Sequence, residues 1–193
     1  MKDTTKYLTF IEGKRTYLRP LIESDFSGDY HQWLNDPEVN RFSQRRAFPQ
    51  SENDCRAFPT YYQNNPGEGM VLAIVITDGD THIGNIALTN LELVHRSGVL
   101  SILLGNKDEW GKGYGAEAIY SLTKHAFQVL NLNRVSAGTF NPAFGRCVEK
   151  LGWRKEGVFR EQFWAAGSYH DQVNYGLLRS DFQSLSDYEC VVK

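Results

Sequence analysis

Three glycines at alternate positions, Gly111, Gly113 and Gly115, stand between a short apolar run at 100–104 and a helical pattern at 116–130. This strand–loop–helix junction constrains the fold more than any other stretch. Glycine leaves the backbone open to close approach, and the helix that follows offers unpaired N–H groups at the positive end of its dipole. The junction therefore suits an anion, most simply a phosphate. Two familiar phosphate loops do not fit. Lys112 is followed by Gly113, where a Walker loop needs Ser or Thr for magnesium, and one residue rather than two separates Gly113 from Gly115. The next strand ends Thr139-Phe140-Asn141, without the acid of a dinucleotide site.

The following segment repeats the architecture. Asn141-Pro142 reads as an N-cap and first-turn proline, and Gly152 stands at the C-terminal cap position. Between them Phe144, Cys147, Val148 and Leu151 recur at helical spacing, so one face is expected to be buried. The unit 100–151 is thus a βαβα half-sheet with phosphate chemistry at its first turn.

These residues resemble the GNAT acyl-CoA N-acyltransferases. The family pattern is Gln or Arg, two residues, Gly, one residue, Gly or Ala, then a later Asn and a Glu-Lys-x-Gly-Phe ending. Gly113, Gly115, Asn141 and Glu149-Lys150-Leu151-Gly152-Trp153 match it. The segment 33–39, with 110–114 and 171–179, resembles the ribosomal-protein alanine acetyltransferase branch, and amino-sugar-nucleotide acetyltransferases are similar in the same stretches. The likeness spans about 15–182 of a single domain, 1–193. It implies an α+β fold: a central mixed, mostly antiparallel sheet flanked by helices and splayed in the middle to receive acetyl-CoA.

Acetyl-CoA is the implied co-substrate and a primary amine the acceptor, with a protein N-terminus and an amino sugar both open. The amine attacks the thioester carbonyl, and catalysis consists of positioning the reactants and stabilising the oxyanion. The resemblance implies that the strand carrying Ile102, Leu103 and Leu104 pairs with the pantetheine arm, a backbone N–H of Leu103 or Leu104 facing the carbonyl oxygen. Ile102 and Leu104 can also pack the core. Trp110, Gly111, Lys112, Gly113, Tyr114, Gly115 and Ala116 would surround the pyrophosphate, with Lys112 reaching a phosphate or facing solvent. Asn141 bonds the pantetheine amide or simply caps its helix, and Arg146 approaches the CoA phosphates or lies exposed. Trp110 replaces the usual Gln or Arg, Phe144 the usual Ser or Ala, and Val148 a tyrosine that many relatives use as acid.

No motif identifies the general base. Glu92 and His95, near the end of the strand before the CoA strand, are candidates alongside a loop-surface reading, and Tyr175 is a candidate acid. Asp108 and Glu109 border the phosphate loop, where a catalytic acid is less expected. The early helical pair would form a wall of the acceptor site. Trp33, Phe42, Arg45 and Arg46 are its candidates, with core packing and a solvated turn as the more ordinary roles. Because Phe144, Val148 and the absent base depart from the pattern, a non-catalytic acyl-CoA-binding module is the competing class.

The rest of the chain sets limits. A formal charge of -2 gives no electrostatic reason to bind nucleic acid or an anionic membrane. Cys55, Cys147 and Cys190 form no paired motif, so neither disulfides nor a metal site is expected. The start of the chain lacks a signal-peptide core, which fits a cytoplasmic protein, as monomer or homodimer. A first strand is expected at 16–21, and a helix capped by Ser24 or Asp25 through Leu34, weakened by Gly28. Ser51 should cap another helix, interrupted at Pro59. A meander follows over 71–77, 81–93 and 99–104, its pairing broken only at Gly84. A late hairpin is expected from 162–164 and 169–178.

Overall fold

Met70–Ile76 (β3) is the most apolar segment and lies inside the sheet, buried without a break from Val71 to Val75. In the computed structural model, which describes residues 8–183, it pairs with Thr16–Pro20 (β2) and Thr81–Glu92 (β4). Ile11–Glu12 (β1) extends one side. Ser97–Leu104 (β5), Arg134–Thr139 (β6), Ser168–Leu178 (β8) and Arg154–Ala165 (β7) complete the other, in the order β1-β2-β3-β4-β5-β6-β8-β7. Among the described strands only β5 and β6 are parallel. The expected α+β fold with a mixed, mostly antiparallel sheet is present. Met1 to Lys6 and Cys190 lie outside the described residues.

Strand alternation separates two cores. On one face Ile86, Leu88, Leu100, Val135 and Leu177 meet helices Tyr114–Gln128 (α4), Pro142–Lys150 (α5) and Arg179–Gln183 (α6). On the other, Tyr17, Ala73, Val75 and Ala87 meet Glu23–Phe26 (α1), Asp29–Asn35 (α2) and Glu52–Asn64 (α3). Those three helices pack over the first half of the sheet. Beyond β5 the same face presents Ser136, Gly138, Gln172 and Asn174 around an open depression. No helix among the described residues is long and apolar enough to cross a membrane.

Several local expectations are corrected. The helix expected through Leu34 is two helices divided at Ser27-Gly28, and its start is Ile22, whose N–H is bonded by the Asp25 carboxylate at 2.8 Å. Ser24 and Asp25 therefore lie inside α1 rather than capping it. Pro59 does not interrupt α3: the helix runs through it, and the proline ring is buried. The meander carries a second irregularity besides that beside Gly84, between Thr89 and Glu92, where Asn90 takes φ 50°. β5 begins at Ser97, α4 begins at Tyr114, and the first arm of the late hairpin spans twelve residues rather than three.

A buried ion pair joins β2 to α1. Arg19 donates from both terminal nitrogens to Asp25, at 2.6 and 2.8 Å, with each side chain 4% exposed. Burial pushes the Asp25 carboxyl up, but Arg19, His82 and the Ile22 N–H outweigh it and hold the group well below the usual carboxylate range. Its stabilising contribution is therefore complete above the unfolded-state value of about 4 and is lost as pH falls toward the lower folded value. Asp25→Ala should cost about 3–5 kcal/mol by urea denaturation at neutral pH, because Arg19 stays buried without its partner. The variant's stability should also fall less steeply than the native protein's below about pH 4.

Candidate active site

The two parallel strands at the centre of the sheet separate. β5 and β6 pair only from Ser97–Val99 against Arg134–Ser136, yet β5 continues to Leu104 and β6 to Thr139. Beyond Val99, β5 stays bound to β4, and β6 to β8, on their outer sides. The facing inner edges form a wedge with free backbone donors and acceptors. Such edges accept an extended ligand as an added strand. Leu103 and Ser101 share the face of Asn85 and Ala87, whereas Ile102 and Leu104 pack against the α4 core.

The wedge opens toward the glycine loop. Trp110 Nε1–H donates to the Leu104 carbonyl at 3.0 Å, fastening the loop to the end of β5. Gly111 and Gly113 have φ of 77° and 87°, and Gly113 is the N-cap of α4. A side chain at either would be strained, which explains these two glycines. Gly115 has a different reason: a Cβ there would meet Leu104 Cδ1 at 2.9 Å, so it permits helix–strand contact. Lys112 is exposed, as the solvent-facing alternative expected, and makes a surface pair with Glu109 at 3.0 Å. Tyr114 lies beneath the Arg15 guanidinium, 4.8 Å from its ring centre, and Ala116 is half-buried in the first turn.

Asn141 caps α5 as its position implied, its Oδ1 accepting the Ala143 N–H at 2.9 Å, which leaves Nδ2 as donor. Phe144 packs on the core, Val148 is fully buried and Arg146 is exposed. Tyr175 rises from β8 beneath Gly145, where a Cβ would stand 2.6 Å from its hydroxyl. That hydroxyl donates to Glu149 at 3.1 Å, and burial together with Glu149 raises its pKa.

The expected acceptor wall divides by role. Trp33 is a core residue seated on Gly105, edge-on to His82 at 5.1 Å. Phe42 meets Phe140 at 5.3 Å, and Phe140 stacks on Phe163 at 4.7 Å, joining the early helices to the late hairpin. Arg45 and Arg46 are not a solvated turn. Arg45 donates to Gln50, and Arg46 donates to the carbonyls of Ser43 and Trp164 across the cluster. Both are structural ties. Glu92 stands opposite Ser97 and His95 lies in the adjoining turn, both exposed at the closed end of the wedge. About 20 Å of strand separates that end from Leu104.

Known proteins place this arrangement. Residues 15–154 match the family model for the acetyltransferase (GNAT) domain. The chain belongs to the GNAT family. It is an N-acetyltransferase, with acetyl-CoA as co-substrate. It is 26% identical to the "Uncharacterized N-acetyltransferase YoaA" of Bacillus subtilis over 174 residues, 88% of this chain and 96% of that protein. A "Putative ribosomal N-acetyltransferase YdaF" of the same organism is 33% identical over 102 residues, 52% of this chain and 55% of that one. The crystal structure of spermidine N-acetyltransferase from Vibrio cholerae superposes with a TM-score of 0.78 at 20% identity, covering 88% of this chain and 98% of that one.

Sequence reasoning missed how this acetyltransferase holds its glycine loop. Glu117, 1% exposed in the first turn of α4, accepts from the N–H groups of Arg15 and Thr16 at 2.6 and 2.9 Å, from the Thr16 hydroxyl and from Arg15 Nε. Arg15 also donates to the Lys112 carbonyl at 3.0 Å. Burial pushes the Glu117 carboxyl up, but these donors prevail and lower it. An acid in a first helical turn was the available signal. Glu117→Gln places an amide N–H among donors, so stability should fall by about 1–3 kcal/mol. Amide hydrogen exchange over 110–116 should accelerate more than exchange in β3.

Proposed function

We propose that the wedge and glycine loop bind acetyl-CoA and that the enzyme acetylates a protein N-terminal amine. The early end of β5–β6 pairing carries this reading, because it leaves two free strand edges leading to a helix N-terminus built on positive-φ glycines. The pantetheine arm lies between 100–104 and 137–139, bonded along the backbone. The pyrophosphate meets the N–H groups of Gly111, Gly113, Gly115 and Ala116. Backbone amides and the α4 dipole neutralise the anion, with the exposed Lys112 beside them. Asn141 Nδ2 serves the arm while Oδ1 keeps its cap, so its two open roles coexist. A backbone N–H of Leu103 or Leu104 faces the thioester carbonyl oxygen.

Bound acetyl-CoA supplies an activated acyl group on a thiol leaving group, whose pKa of about 8.5 allows departure as thiolate. An acid at the Val148 position is then not required. Glu92, opposite Ser97, and His95, in the adjoining turn, lie about 20 Å of strand from Leu104, too far to take the amine's proton directly or through one water, so neither serves as the base. The amine enters over the bare half of the sheet, an open surface suited to a peptide end. An amino-sugar nucleotide would want a free cation for its diphosphate, and Arg45 and Arg46 are both engaged. Similarity to a protein named as a ribosomal N-acetyltransferase supports the same acceptor.

Calorimetry with acetyl-CoA tests the site. Gly113→Glu, which places bulk, negative charge and a strained φ in the loop, should lower affinity at least about 100-fold while circular dichroism stays native. Free-thiol release by the native enzyme should depend on an Ala-led peptide. Tight binding with no release across peptides, amino sugars and polyamines would instead identify a non-catalytic acyl-CoA module.

A further inference from the structure

The bare half of the acceptor face is not featureless. From the last β5–β6 pair, Val99 with Ser136, an open depression runs toward the open end of the wedge along Gly138, Asn174 and Gln172. Gln172 Nε2 donates to Asn174 Oδ1 at 2.7 Å. The two amides lie across Gly138, where a Cβ would stand 2.2 Å from Gln172 Nε2 and 2.9 Å from Asn174 Oδ1. A strand glycine has no other evident duty here. Asn174 Nδ2 is buried and has no hydrogen-bond partner among the described residues. A buried donor left in this state costs free energy until an acceptor reaches it.

The charges around the depression are equally informative. Its lining carries one cation and one carboxylate, Arg134 and Glu156, and these bind each other through both guanidinium nitrogens. No unpaired carboxylate lines it. A polyamine brings ammonium groups that only donate hydrogen bonds. It would leave Asn174 Nδ2 unpaired and find no negative partner for its second charge. An amine with an oxygen on a neighbouring carbon provides what the depression lacks, whether that oxygen is a peptide carbonyl or a sugar hydroxyl.

The geometry points to the Gln172–Asn174 amide pair as the element that reads the acceptor, through an oxygen acceptor next to the reacting amine, and excludes polyamines. This rests on the proposed acetyl transfer at the adjoining wedge and extends it to substrate class. Gly138, lacking a Cβ, leaves the space in which the two amides meet.

The test is kcat/KM at saturating acetyl-CoA for an Ala-led hexapeptide, glucosamine and spermidine, in native enzyme, Asn174→Asp and Gln172→Glu. These near-isosteric changes replace donors with negative charge, and thermal melting verifies the fold. Native enzyme should prefer an oxygen-bearing amine over spermidine by about 100-fold or more. Asn174→Asp should lower kcat/KM for that amine about 10-fold, chiefly through KM, and raise spermidine turnover, while KM for acetyl-CoA stays unchanged. Gln172→Glu should shift preference in the same direction.

The arms separate the two proposals. Turnover of glucosamine but not the peptide, with the same response to Asn174→Asp, supports this inference and overturns the protein N-terminal acceptor. Peptide turnover unaltered in both variants overturns the inference while acetylation of protein N-termini stands. Native preference for spermidine overturns both. Absence of turnover with every amine overturns this inference together with catalysis at the wedge.

Discussion

The separation of β5 from β6 is the constraint on which the rest of the structure depends. A parallel pair would normally continue as far as both strands do, since each unpaired buried group costs about 1–3 kcal/mol. Here each strand is held from its outer side. β5 stays in register with β4 through Leu104, helped by Gly84, where a Cβ would meet the Leu103 carbonyl oxygen at 2.3 Å. β6 stays in register with β8 through Thr139, and α5 follows almost at once. Two firmly held half-sheets can diverge without either losing its own ladder. The groups exposed between them are those proposed to receive a ligand that itself carries amides.

Two buried carboxylates tie the ends of the chain's first half to this frame. Asp25 secures α1 to β2 through Arg19, and Glu117 secures the start of α4 to the turn preceding β2. Both are anions kept charged by several donors despite burial, so neither is a proton donor in reserve. Glu117 matters more for the site, since it sets where the α4 N-terminus points. Its carboxylate occupies the N–H groups of Arg15 and Thr16, not those of the glycine loop, which remain available. Trp110 acts from the other side, so the loop is fixed at both ends without any side chain filling its centre.

What the sequence made legible follows from how local the cause is. The glycine loop, the Asn141-Pro142 start and the Gly152 stop are local conformational signals, and each stands where it was expected. Element types follow from periodicity for the same reason. The split at Gly28 and the unbroken helix through Pro59 depend on tertiary packing, which overrides propensity. The Glu117 clamp links groups 102 residues apart, and the pairing limit at Val99 is a property of two strands together. Neither is visible in a single segment. Arg45 and Arg46 illustrate the converse: their charge invited a substrate role, and the fold spends both on carbonyl and amide partners.

The departures from the family pattern make sense in a site built chiefly of backbone. Phe144 and Val148 stand where many relatives carry hydroxyls, and both pack on the core beneath α4 and α5, whereas the groups proposed to position an extended arm are strand edges, loop amides and the Asn141 cap. Positioning and oxyanion stabilisation supply most of the rate in an acyl transfer with a good leaving group, and in the proposed site both come from backbone N–H groups, which every side chain but proline leaves in place. What side chains control is entry. On the α4 and α5 side Phe144 and Val148 close the packing, so in the proposed site the acceptor arrives over the helix-free half of the opposite face. The apolar replacements thus complete the wall that makes the amide-lined face the remaining approach.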